Sequence, residues 1–209
     1  MARFEDMLPD ARAGLPAAPD PVILGALRRA AAALCRESHV WQEVLDDQPA
    51  VPGQSEYDIG APSGARVERA VWVKYKGALL DFHVRDRELL AQSAVPGVPR
   101  AYSTSTAAQV LHLWPTPAVG ETGPIAVYAT LVPLPSATTL PDDIAIAYRP
   151  GLIALAKADL MALSPGMPWH NLKEAAVQSE IGHEWIVRAK RNQHSGGHVP
   201  LRAAPRMFA

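Results

Sequence analysis

PDDIAIAYRPGLIALAKADLMAL, residues 141–163, is where helical spacing returns after a long strand-like stretch, and its reading decides the fold. Pro141, Asp142 and Asp143 form a helix start signal, because acidic side chains there satisfy free backbone donors and meet the positive end of the helix dipole. Pro150 and Gly151 interrupt the pattern, which predicts a kink or a restart at Pro150. SPGMP stops the helix. From Pro168 a further helix is expected through WHNLKEAAVQSEIGHEWIVRAKRNQ, where Trp169, Leu172, Ala176, Val177, Ile181 and Trp185 make a broad apolar stripe. Its basic C-terminal end suits the dipole.

Upstream, Asp20 is a good N-cap and Pro21 a good first helical residue for VILGALRRAAAALCRES. Leu24, Leu27, Ala31, Leu34 and Cys35 recur on one face of that helix, with Arg28, Arg29 and Arg36 off it. A lone helix is marginal, so this face is expected to pack on the two later helices. From Val40 the texture changes to short runs split by turn residues: VWQEVLD, SEYDI, RVERAVWVKYKG, ALLDFHV, PRAYSTS, AQVLHLWPTP and IAVYATLVPLP. Gly77 marks a hairpin, and VLHLW reads as a half-buried strand around His112. RDRELLAQS is expected to form one short helix. The connections are too short for helical crossovers, so the strands should pair antiparallel.

The expected fold is α+β. A helical bundle from residues 1–38 and 139–194 carries an inserted antiparallel β domain, residues 39–138, and an extended C-terminal arm, residues 195–209.

That arm has its own signature. After Glu184 there is no acidic residue, while Arg188, Lys190, Arg191, Arg202 and Arg206 follow, in a chain of formal net charge -1. Gly196, Gly197, Pro200 and Pro205 forbid regular structure, and Leu201, Met207 and Phe208 are apolar beyond the needs of a solubility tail. A cationic arm with apolar anchors suggests a segment ordered on a partner, which favours an assembly component over an enzyme. Phosphate screening of DNA by the same arginines is a compatible secondary role, and a nucleic-acid-binding regulator using this tail is the alternative reading.

Composition sets outer bounds. Twenty prolines in 209 residues imply many extended joints, and sparse aromatics leave a core of Ala, Val and Leu. A single cysteine, Cys35, excludes an internal disulfide and fits a reducing compartment. No apolar run approaches the roughly 20 residues of a membrane span, since even Gly151 to Leu163 carries Lys157 and Asp159. MARFEDML lacks the pattern of a secretory signal, so cytoplasmic synthesis and retention are expected.

Signatures of chemistry are missing: GxxxxGK[ST], GxGxxG, GxSxG, HExxH and paired CxxC do not occur. His183, His194 and His198 are poor metal ligands, because Gly196 and Gly197 break the helix that would align the last two. Asp142 and Asp143 read as caps. Cys35 with His39 has the spacing of a nucleophile and base, but Cys35 sits on the apolar face, where a free thiol behaves as a small hydrophobe. Trp72, Tyr75 and Trp114 with Lys74 and Lys76 read as core or interface residues rather than a base-stacking platform. No enzyme activity, cofactor or metal is expected.

Taken in order, MLPDARAGLPAAPDPVILGALRRAAAALCRESHVWQEVLD, VPGQSEYDI, GARVERAVWV, PDDIAIAYRPGLIALAKADLMALSPGMPW and LRAAPRMF resemble phage head-to-tail adaptor proteins, of the kind related to tail tubular protein A in short-tailed phages. Pro150-Gly151 departs from that pattern, where an uninterrupted helix is expected. The resemblance implies a non-enzymatic virion protein assembled in the host cytoplasm, in a ring of identical subunits, commonly twelve. Its partners would be the portal above and the tail nozzle or tail tube below. The lumen would pass DNA without sequence reading, for genome retention and ejection, and no membrane is involved. The portal-reaching segment would be Ser195 to Ala209. Arg188, Lys190, Arg191, His194, His198, Leu201, Arg202, Arg206, Met207 and Phe208 would be the docking residues.

Overall fold

Leu24, Leu27, Ala31, Leu34 and Cys35 do lie in one helix: after α1 (Leu8–Arg12), α2 spans Asp20–Ser38. The computed structural model describes residues 1–83, 95–105, 107, 109–163 and 165–194. Two units are distinguished within it, Met1–Val40 with the chain from Leu140 onward, and Trp41–Thr139.

In the helical unit α2 buries Ile23, Ala26, Leu27, Ala30, Ala31, Leu34 and Cys35, while Leu24 is only half-buried. Pro19, not Asp20, occupies the N-cap position, and Asp20 is the first helical residue. Its carboxylate instead accepts a hydrogen bond from Arg12. At the other end His39 takes the left-handed conformation (φ 55°) that ends a helix, with its amide donating to the Cys35 carbonyl at 3.0 Å.

The restart expected at Pro150 is a break between two helices, α3 (Asp142–Ala147) and α4 (Arg149–Leu163). Pro150 then falls in the first turn of α4, where its missing N–H costs nothing. Neither Asp142 nor Asp143 caps α3. The Asp142 carboxylate accepts from the Met1 amino group at 2.6 Å, so a charge pair replaces the expected cap.

The last helix, α5, spans Leu172–His194 and begins later than Pro168 suggested. Asn171 Oδ1 accepts from the Glu174 amide at 3.1 Å and supplies the cap. The expected stripe is a correction: Leu172, Ala176, Val177 and Ile181 are exposed, and the helix buries Ala175, Gly182, Ile186 and Ala189 instead. The cause is close approach. A Cβ on Gly182 would lie 2.5 Å from Leu155 Cδ2 of α4, so the small residues face inward and the large ones are turned out. α2 packs on both α4 and α5. Arg29 to Asp159 (2.5 Å), Arg149 to Asp10 (2.8 Å) and Lys190 to Glu37 (3.5 Å) tie the unit's surface.

β1 (Ala2–Arg3) belongs to the helical unit, and among the described residues the β unit holds two sheets. β2 (Gln42–Val44), β10 (Pro124–Pro133), β5 (Ala65–Tyr75) and β6 (Ala78–Leu79) lie side by side in that order, with β3 (Gln48–Pro49) also on β10. The second sheet runs β4 (Glu56–Asp58), β9 (Val110–Trp114), β8 (Ala101–Ser105) and β7 (Asp81–Phe82). Lys76 and Gly77, both at positive φ (49° and 81°), make the β5–β6 hairpin turn that Gly77 signalled. Among the described strands pairing is mainly antiparallel, but, as a correction to the expectation, β7 and β8 are parallel, with Asp81 opposite Ala101 and Phe82 opposite Tyr102. A long connection between them makes that direction possible. Alternation along β5 and β10 buries Val67, Val73, Tyr75, Ile125, Val127, Ala129 and Leu131. The side-chain amide of Gln109 imitates a strand, accepting from Val67 N at 2.7 Å and donating to Val67 O at 2.9 Å. The short helix expected at residues 85–93 and the arm at 195–209 lie outside the described residues.

Candidate assembly surfaces

Turning α5 by its glycine seam has a price at the surface. Leu172 is 64% exposed, Val177 49%, Val187 40% and Ile181 37%, on a helix that is otherwise well packed. Lys173, Glu180, Glu184, Arg188 and Arg191 share this outer side and are exposed too. Exposed apolar residues interspersed with charges of both signs match a second protein surface better than they match a polyanion.

The docking residues expected from sequence divide along α5. Arg188 lies over the Trp185 ring, its guanidinium carbon 4.8 Å from the centroid. Arg191 is exposed and borders a shallow concavity with Glu180, His183 and Glu184. Lys190 reaches Glu37 and so also serves the fold. His194 is the last helical residue. His198, Leu201, Arg202, Arg206, Met207 and Phe208 lie outside the described residues.

The β unit offers a second surface. Trp72 and Tyr128 sit opposite each other on β5 and β10 and stack with centroids 5.3 Å apart. Lys74 Nζ is 4.6 Å from the Trp72 ring, and the Tyr128 hydroxyl donates to Gln42 Oε1 at 2.9 Å. Tyr75 and Trp114 are buried, so the three aromatics weighed from sequence do not share a face open to bases. Tyr128 was missed in the sequence, although its outward register on a strand next to Trp72 is what completes the pair. The Tyr75 hydroxyl and Lys76 Nζ both bond Glu121 Oε2, at 2.7 and 2.6 Å. The hydrogen bond from Lys76 holds the Glu121 carboxyl below its ordinary range, and the same bond raises the Lys76 ammonium.

Cys35 is fully buried, and desolvation pushes its thiol up to about 12, so it is not a nucleophile for which His39 could act as base near neutral pH. Among the described residues no group of three or more His, Cys, Asp or Glu stands close enough to hold a metal ion. No described helix is long and apolar enough to cross a membrane.

The sequence model of one protein family, described as SU10 adaptor protein, matches residues 1–196. No curated protein matches the chain.

Proposed function

This chain belongs to the SU10 adaptor protein family, a family of structural phage proteins rather than enzymes, and we propose that it joins the capsid portal to the tail as a ring of identical subunits. The observation that carries this reading is the outer face of α5, where Leu172, Val177, Ile181 and Val187 stand in solvent. A closed ring needs two different complementary faces on each subunit, and the mixed apolar and charged outer side of α5, which the subunit's own core does not use, supplies one of them. The stacked Trp72 and Tyr128, with Lys74, are suited to the other.

In this proposal the ring is of the kind related to tail tubular protein A, with twelve subunits, and it assembles in the host cytoplasm. Residues Ser195 to Ala209 reach the portal, the opposite side receives the tail nozzle or tube, and DNA passes through the lumen unread during retention and ejection. Arg188 and Arg191 prolong the cationic arm onto α5. Glu180 and Glu184 on the same side favour protein over DNA as the first target.

An arm that orders only on docking delays assembly until a portal is present. Sedimentation velocity of the purified protein should therefore show monomers alone and a ring-sized complex with portal. Stable rings without portal would contradict the ordered pathway, and no complex with portal would contradict the function.

A further inference from the structure

Arg69 shares a face of β5 with Trp72 and Lys74, which the regular alternation of a strand would forbid. Bulges make it so. Against β10 the ladder steps from Trp72 opposite Tyr128 to Ala70 opposite Ala129, skipping Val71, and from Arg69 opposite Thr130 to Val67 opposite Leu131, skipping Glu68. Without the skip at Val71 the Arg69 side chain would join the buried Val73 on the inner face; the bulge turns it out beside the Trp72–Tyr128 stack. Tyr128 also stands opposite Val44 of β2, which is exposed, so an apolar row of Trp72, Tyr128 and Val44 crosses this face with Arg69 on one side and Lys74 on the other.

Neither Arg69 nor Lys74 has an ion-pair partner among the described residues, whereas Arg66, next along the face, is paired with Glu68 at 3.6 Å. The face therefore suits a partner that brings apolar side chains and spare carboxylates together. The chain's own α5 does so. Glu180 and Glu184 are exposed one turn apart, have no ion-pair partner among the described residues, and stand beside the exposed Val177 and Ile181. Of the cations on that side, Arg188 lies over Trp185, and Lys173 and Arg191 are nearer the helix ends.

We propose that the outer side of α5 of one copy docks on the β5–β10–β2 face of the next, with Glu180 and Glu184 against Arg69 and Lys74, and Val177 and Ile181 against Trp72 and Tyr128. The contact rests on the ring reading and says which surfaces meet. Because the two faces differ, it is head-to-tail, and each copy keeps one helix side and one sheet face for its two neighbours.

Charge reversal tests it. Arg69→Glu with Lys74→Glu reverses the sheet face, and Glu180→Lys with Glu184→Lys reverses the helix. None of the four side chains is buried, so melting temperatures should stay near the parent's. In sedimentation velocity with portal, each variant alone should lose the ring-sized complex, since like charges then face each other. An equimolar mixture should recover it, because each variant offers the other opposite charges on both faces of an even ring. Assembly of either variant alone, or none from the mixture while the parent forms rings, would overturn this contact and leave the ring standing. No ring from the parent would overturn the ring itself. Loss of affinity for a short DNA duplex in the sheet variant, with assembly intact, would assign the face to phosphates and also overturn the contact.

Discussion

Trp185 stands where a side chain on Gly151 would have to go: a Cβ built on the glycine would lie 2.5 Å from the tryptophan Cβ. Gly182 and Leu155 repeat the relation in the opposite direction across the same pair of helices. Each helix thus receives a bulky residue of the other over a glycine, which sets how near α4 and α5 approach and which way α5 is turned.

Gly151→Ala should therefore destabilise the protein by about 1–3 kcal/mol, although alanine is favoured over glycine in a helix by about 1 kcal/mol. Its obstacle is the rigid Cβ of Trp185. At Gly182 the obstacle is the Leu155 side chain, Cδ2 at 2.5 Å and Cγ at 2.6 Å, which can change rotamer, so Gly182→Ala should cost less. Urea unfolding of both variants measures the order, and a Gly151→Ala protein more stable than the parent would refute the close contact.

This seam also marks where the sequence stopped being legible. The periodicity of α2 and the break at Pro150 could be read directly, because both depend on residues within one or two turns. For α5 the pattern contained two candidate faces, and hydrophobicity favoured Leu172, Val177 and Ile181. What decides between them is an inter-helix distance set by Gly151 and Gly182, which no single-helix pattern encodes. The parallel pairing of β7 with β8 was hidden for a similar reason, since strand direction depends on the path of a connection rather than on strand residues. Of the docking residues, only the positions on α5 can be placed. The Trp72–Tyr128 pair needed the register between β5 and β10.

The outer face of α5 gives the next prediction. Val177→Glu with Ile181→Glu should leave the melting temperature nearly unchanged, because both side chains already contact water. Assembly with portal should be lost, as two carboxylates would enter an interface core. A double variant that still forms the full complex by sedimentation would remove this face from the interface.

Truncation after Gln193 separates the arm from the fold. The melting temperature should stay nearly constant, and portal attachment should disappear in a pull-down with purified portal. Undiminished attachment would show that Leu201, Arg202, Arg206, Met207 and Phe208 are not the docking residues.

Cys35 makes two linked predictions. The native thiol should resist iodoacetamide at pH 8 and react fully once the protein is unfolded in urea. Its pKa of about 12 when folded exceeds the value of 9.0 for a free thiol, so its share of stability is complete below pH 9 and is lost as pH rises toward 12. Over that window the loss should be about 1.4 kcal/mol per pH unit. It appears as a steeper alkaline decline in the parent than in Cys35→Ala, and rapid native alkylation would contradict the buried position.

The most direct measurement of the central claim is electron microscopy of the full-length protein mixed with its portal. A ring of added density seated on one end of the portal, absent when the arm is removed, is the predicted result. Portal particles unchanged by saturating protein would contradict the account.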